Sequence, residues 1–223
     1  MPPSHPARTY NTRMNTGIGT SNRRGFSGPM ESSPLPPRSA RRFARVGPPT
    51  NSPANGERVT LEDGRQLRLR PIVAADIDAL RRCFTRLSTD EIRMRFMHHL
   101  RELPLSMARQ LCCLDPETAA ANVLIDDTGA PTEMRGVGRI YVDRTCNQAE
   151  FAVLVEKAWT GYGLGALLMQ RLVDECRRRG LSRVWGYVLI ENRPMLDLCR
   201  RLGFKRQATL DDPGTAMIAL DFD

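Results

Sequence analysis

Two stretches of the chain carry residue types whose spacing suits chemistry. In Thr160-Gly161-Tyr162-Gly163-Leu164-Gly165-Ala166, three glycines alternate and a helical pattern begins without a break. No Asp or Glu stands between Gly161 and Gln170 to occupy the free N–H groups and the positive dipole end of that helix. Glycines let backbone come close to a ligand, so this terminus is suited to an anion, a phosphate above all. A glycine-rich turn that only caps a helix is the alternative reading. In the second stretch, Glu150 opens the otherwise apolar run Glu150-Phe-Ala-Val153-Leu154-Val155. Partial burial there would raise a carboxyl pKa towards the range in which it can act as a base.

Other phosphate loops fit less well. A P-loop needs Gly-Lys-Ser/Thr after its glycines, and here the chain reads Gly165-Ala166-Leu167. A dinucleotide fingerprint needs a further glycine where Ala166 or Leu168 stands. The loop instead resembles the coenzyme A pyrophosphate loop of the GNAT acyltransferases, Gln/Arg-x-x-Gly-x-Gly/Ala. Thr160 departs from that pattern, which removes a side-chain contact and leaves the backbone cradle. A second segment, Asn192-Arg-Pro-Met195-Leu-Asp-Leu198-Cys199-Arg-Arg-Leu-Gly203-Phe204, is similar to the family's Asn-x-x-Ala/Met-x-x-Leu-Tyr-x-x-x-Gly-Phe. More narrowly, Arg68 to Ile72, Leu87 to Glu91 with Arg95-Phe96, and Ala149-Glu150-Phe151 are similar to the acyltransferase domain of bacterial Pat-type protein-lysine acetyltransferases.

The resemblance implies transfer of an acetyl group from acetyl-CoA to a primary amine, protein lysine among the candidates, by direct attack in a ternary complex and without a metal. Such transfer needs a polarised thioester carbonyl, an amine freed of its proton, and a leaving thiolate that needs little help. The resemblance places the pantetheine along Phe151 to Val155, with N–H groups near Val153, Leu154 and Val155 on its amides and thioester oxygen. It places the pyrophosphate on the loop from Thr160 to Ala166, with Asn192 also in the cofactor site, and the base at Glu150. Glu156 is a weaker candidate base, since it lies at the strand end beside Lys157 and could simply pair with it. Cys199 occupies the place of the family's general-acid Tyr and either serves as that acid or simply packs; Tyr187 is a second possible donor. A covalent Cys route lacks a His on the motif segments, and His98-His99 read as a loop or surface pair.

The elements that must hold these groups follow from periodicity and punctuation. Asp63-Gly64 joins Val59 to Leu61 with Gln66 to Ile72 as a hairpin. Helices are expected over Ala74 to Leu87, from the capping box Ser88-Thr-Asp-Glu91 to about His99, and over Pro104 to Leu114. Strands are expected over Ala120 to Ile125, Val137 to Val142 and Glu150 to Val155. The loop helix follows, running to Gly180 as its left-handed cap. A strand Arg183 to Leu189, a helix from about Pro194 to Leu202 and a strand Ala216 to Leu220 complete the order. The class is α+β: a central mixed, mostly antiparallel sheet flanked by helices, in the GNAT order over roughly residues 58–222.

Composition bounds the rest. The 223 residues carry a net charge of +8, and residues 1–56, with eight Arg and one Glu, hold +7 of it. Ten of the sixteen prolines lie there too. This segment is expected to be a disordered basic tail, with the acetyltransferase domain over 57–223. The tail reads as a basic arm, a passive solvated segment, or residues upstream of a later start at Met14 or Met30. No apolar run approaches the roughly 20 residues that span a bilayer, and no secretory h-region is visible. Six cysteines without Cys-x-x-Cys spacing fit a reducing cytoplasm and no zinc site. Two rivals stand beside the enzyme reading: an acyl-CoA-binding regulatory module without turnover, and a nucleic-acid-associated protein acting through its tail. Nucleic acid is the less favoured partner, because the tail arginines are mostly scattered.

Overall fold

The computed structural model describes residues 45–46, 56–96, 101–207 and 213–222. His98-His99 and most of the expected tail lie outside the described residues. Among the described residues nine strands form one sheet: β1 Arg45–Val46, β2 Glu57–Thr60, β3 Gln66–Pro71, β4 Ala119–Asp126, β5 Glu133–Asp143, β6 Gln148–Val155, β7 Arg183–Leu189, β8 Lys205–Gln207 and β9 Thr215–Asp221. Their spatial order is β1-β2-β3-β4-β5-β6-β7-β9-β8. Every neighbouring pair is antiparallel except β6 with β7. Among the described residues five α-helices accompany the sheet: α1 Ile77–Arg86, α2 Thr89–Phe96, α3 Leu105–Cys112, α4 Leu164–Arg178 and α5 Arg193–Arg201.

Local signals act where they were expected. Gly64 adopts φ +86 in the β2–β3 turn. Ser88 Oγ accepts from the Glu91 N–H while the Glu91 carboxylate accepts from the Ser88 N–H, closing the capping box. Gly180, at φ +66, ends α4, where its N–H bonds the Arg177 carbonyl. The first expected helix differs: Ala74–Asp76 is a 3-10 turn ahead of α1, and the buried Asp76 carboxylate there accepts the Val73 N–H.

Two strands were not anticipated. Lys205–Gln207 has no apolar alternation and is a strand only because β9 offers it a partner. Arg45–Val46 pairs with Val59 and Thr60, so the sheet begins inside the stretch read as tail.

Helices α1 to α3 pack in one apolar cluster with Ala121, Val123 and Val137 of the sheet. Helices α4 and α5 pack in another with Ile140, Phe151, Val184 and Ile218. Since side chains alternate along a strand, the two sheet faces are assigned strand by strand. A Cβ on Gly138 would lie 3.2 Å from Leu168 of α4, so Gly138 faces α4. Its neighbours Val137 and Arg139 then face the α1–α3 side.

Candidate active site

The candidate anion site is the start of α4. Gly161 and Gly163 adopt φ +92 and +81, a region that side-chain-bearing residues rarely enter. Gly163 is the N-cap, no side chain caps the helix, and its first turn contains no acid. The N–H groups of Leu164, Gly165 and Ala166 have no acceptor within their own helix, and the Leu167 N–H already reaches the Gly163 carbonyl. Gly165 has ordinary backbone, and a Cβ there would meet only Leu198 Cδ2 at 3.5 Å. Conformation therefore explains the first two glycines and not the third. Thr160 turns its hydroxyl inward to the Lys157 carbonyl, 2.8 Å away. Arg65, from the β2–β3 turn, stacks its guanidinium 4.1 Å above Trp159 and 4.7 Å above Tyr162.

From that terminus a fork leads into the sheet. β5 pairs with β6 along all eight residues, from Gln148 to Val155. β7 pairs with β6 only at Gln148, Ala149 and Glu150, and continues with β9 alone. The β6 edge over Phe151, Ala152, Val153, Leu154 and Val155 is therefore open on the β7 side. Backbone groups not directed at β5 face this opening, where an extended ligand can add as a further strand. The Phe151 ring fills the crotch of the fork. It lies so close to Gly186 of β7 that a Cβ on that glycine would come within 2.8 Å of Phe151 Cε1.

Glu150 stands at the last residue where the two strands touch. Its register partners are Tyr141 and Trp185, and paired residues share a face, so Glu150 lies on the α1–α3 side with Arg139. Burial pushes its carboxyl up to about 7, against the opposing pull of the Arg95 charge. Among the described residues no ion pair engages it. Tyr187 lies two residues beyond Trp185 with its ring edge-on to the indole, 5.7 Å between centroids.

The remaining candidates lie away from this opening or within the packing around it. Glu156 does not pair with Lys157. It is buried and accepts from Arg86 (2.9 and 2.6 Å) and from Arg135 (3.2 Å). Held by two guanidiniums, this carboxylate ties α1 to the sheet. Cys199 is buried in the α4–α5 cluster, and burial pushes its thiol up to about 12. A proton held that tightly is a poor acid for a thiolate of pKa about 8.5. Asn192 caps α5, its side-chain oxygen accepting from the Met195 N–H at 3.2 Å.

Three features escaped the sequence reading. Arg139 sits in the middle of the apolar strand Val137-Gly-Arg-Ile-Tyr-Val142, and that placement was a usable signal. Gly186 inside a strand rich in β-formers was another. The stacking of Arg65 on Trp159 left no local trace. Among the described residues, no group of three or more His, Cys, Asp or Glu side chains could hold a metal ion, and no helix is long and apolar enough to cross a membrane.

Comparison with known proteins adds three findings. The family described as acetyltransferase (GNAT) domain matches residues 66–205. An acetyltransferase of Pseudomonas aeruginosa is 34% identical over 156 residues, covering 69% of this chain and 82% of that protein. Among solved structures, the GNAT domain of S. lividans PAT superposes with a TM-score of 0.66 at 21% identity, over 74% of this chain and 96% of that one. Spermidine N-acetyltransferase from Vibrio cholerae, in complex with CoA and spermine, gives 0.57 at 16% identity, over 70% and 95%. At these identities the two structures establish likeness of fold.

Proposed function

The chain belongs to the GNAT acetyltransferase family, and on that premise we propose that it transfers an acetyl group from acetyl-CoA to a primary amine by direct attack, with both substrates bound together. The observation that carries this reading is the open β6 edge. It runs from the uncapped α4 terminus at one end to Glu150 at the other. The residues present fit the co-substrate: Leu164, Gly165 and Ala166 offer N–H groups to the pyrophosphate, and the edge from Phe151 to Val155 offers backbone groups to the pantetheine amides. Acetyl-CoA supplies the acetyl group as an activated thioester.

The chain's own residues supply the remaining steps. N–H groups near Val153 to Val155 stabilise the charge that develops on the carbonyl oxygen. Glu150 takes the proton of the acceptor ammonium. With a carboxyl near 7 it is ionised in a useful fraction at neutral pH and basic enough to accept a proton. Solvent, rather than Cys199, protonates the departing thiolate. The Pat-type resemblance brings protein lysine forward as one acceptor class.

The test is calorimetric titration with coenzyme A together with acetyl transfer to a panel of lysine peptides, polyamines and amino acids. Binding with turnover is the expected result. Binding without turnover on any amine makes this a regulatory acyl-CoA module. Salt-dependent nucleic-acid binding that is lost on deleting residues 1–56, without coenzyme A binding, favours the tail-based rival.

A further inference from the structure

The described residues include three buried charged side chains, and two are answered. Asp76 accepts from both Arg70 terminal nitrogens at 2.7–2.8 Å. Glu156 accepts from Arg86 and Arg135. Arg139 is the third. It is 2% exposed, yet among the described residues no carboxylate pairs with it. One terminal nitrogen donates to the Leu111 carbonyl (3.1 Å) and the Tyr141 hydroxyl (3.4 Å), while its Nε has no partner among the described residues. A guanidinium does not shed its charge, so burying one without an anion is costly.

Arg139 lines a small cavity with a second guanidinium, Arg95 of α2, and with Phe84, Phe96, Leu111 and Leu154. No ion pair engages Arg95 among the described residues; its guanidinium lies 4.9 Å over the Phe96 ring. Burial, and then the charge of Arg139, lower Arg95 to about 10. Among the described residues, two cations thus face one apolar cavity with no carboxylate ion-paired to either, and the opposing charge that acts on Arg95 is that of Glu150.

The cavity lies on the face that carries Glu150. Arg139 is two residues along β5 from Tyr141, the register partner of Glu150, a separation of about 7 Å along the strand. The pyrophosphate cannot be the missing anion, because α4 and its N-terminus pack on the opposite face, the one Gly138 presents to Leu168. Resting on the acetyltransferase reading above, we propose that Arg139 and Arg95 form a carboxylate subsite and that the acceptor is a small amino acid. Its amine meets Glu150 while its carboxylate pairs with the two guanidiniums. Transfer then forms the amide N–C bond and breaks the thioester C–S bond, with the amine proton passing to Glu150. The enclosure of Arg139 favours a free small molecule over an acidic residue flanking a lysine on a folded protein.

The test uses the full chain and matched acceptors: free amino acids from glycine to γ-aminobutyrate, their amides, and the corresponding decarboxylated amines. We expect kcat/KM to favour the acids by tenfold or more, and this ratio to collapse towards one in Arg139→Met and Arg95→Met, with partial recovery in Arg139→Lys. A thermal shift of the coenzyme A-bound protein by the same amino acids, lost in Arg139→Met, reads the subsite without turnover. If no amine is acetylated but that shift is present, the acetyltransferase reading fails and the carboxylate subsite stands. Equal kcat/KM for acids and amides, a preference unaltered in both methionine variants, a better rate with lysine peptides, or no amino-acid shift overturns the proposal. So does an Arg139-dependent preference for succinyl-CoA over acetyl-CoA with an uncharged amine, which would assign the carboxylate to the acyl group.

Discussion

Replacing Glu150 with Gln should impair the enzyme and stabilise the fold at the same time. The folded carboxyl is raised from 4.5 to about 7, chiefly by burial. Below pH 4.5 both folded and unfolded chains hold the proton, and wild type and variant should be about equally stable. Between 4.5 and about 7 the unfolded chain ionises while the folded one resists, so wild-type stability falls as pH rises; above 7 the loss is complete. At about 1.4 kcal/mol per pKa unit the ceiling is about 3 kcal/mol. Partial solvation, and the attraction to Arg95 that Gln forfeits, reduce the expected gain to about 1–2 kcal/mol. Chemical denaturation from pH 4.5 to 8.5 should therefore show the Gln variant drawing ahead of wild type through pH 7 and then holding its lead. Turnover should move oppositely. Wild-type kcat/KM should rise with pH through an inflection near 7; in the variant that inflection should vanish and kcat should fall by about 10²–10⁴-fold, the range of a general base. A variant whose lead over wild type is no larger at pH 8 than at pH 4.5 would show that the carboxylate is not desolvated, and a retained inflection would place the base elsewhere.

Three further substitutions separate fold from site. Gly165→Ala adds a methyl that the fold accommodates, 3.5 Å from Leu198 Cδ2; stability should hold or rise by up to about 1 kcal/mol, while calorimetric coenzyme A affinity should drop at least about fivefold, roughly 1 kcal/mol, and unchanged affinity would remove this loop from the site. Glu156→Gln leaves Arg86 and Arg135 without their shared counter-charge and should cost about 2–3 kcal/mol by denaturant titration, with a loss under about 0.5 kcal/mol contradicting the structural role given to it. Cys199→Ala opens a small gap in the α4–α5 cluster and should cost about 1 kcal/mol; steady-state turnover should stay within about threefold, and a tenfold fall, about 1.4 kcal/mol of barrier, would restore the thiol as a catalytic acid.

The sequence by itself determined whatever is settled within a few residues of backbone. The alternating glycines set the positive φ of Gly161 and Gly163, Ser88 and Glu91 closed their box, Gly180 ended α4, and the β-formers from Arg183 to Leu189 made their strand with both limits as expected. These outcomes depend on steric limits and hydrogen bonds over short spans of chain, so composition and spacing reveal them. The uncapped, acid-free α4 terminus and the placing of Glu150 on an apolar strand were legible for the same reason. Only the tertiary structure decided what distant elements do to one another. Glu156 has a lysine as its neighbour in sequence yet takes Arg86, 70 residues away, because folding brings α1 across the end of β6 and excludes water from the carboxylate. Lys205–Gln207 became a strand because β9 had an edge to pair. The fork exists because β7 leaves β6 after three residues, and among the described residues no carboxylate pairs with Arg139, whose cavity receives a second arginine, Arg95, from α2. Each is a competition among contacts far apart in the chain, decided by burial and pairing once the sheet is assembled.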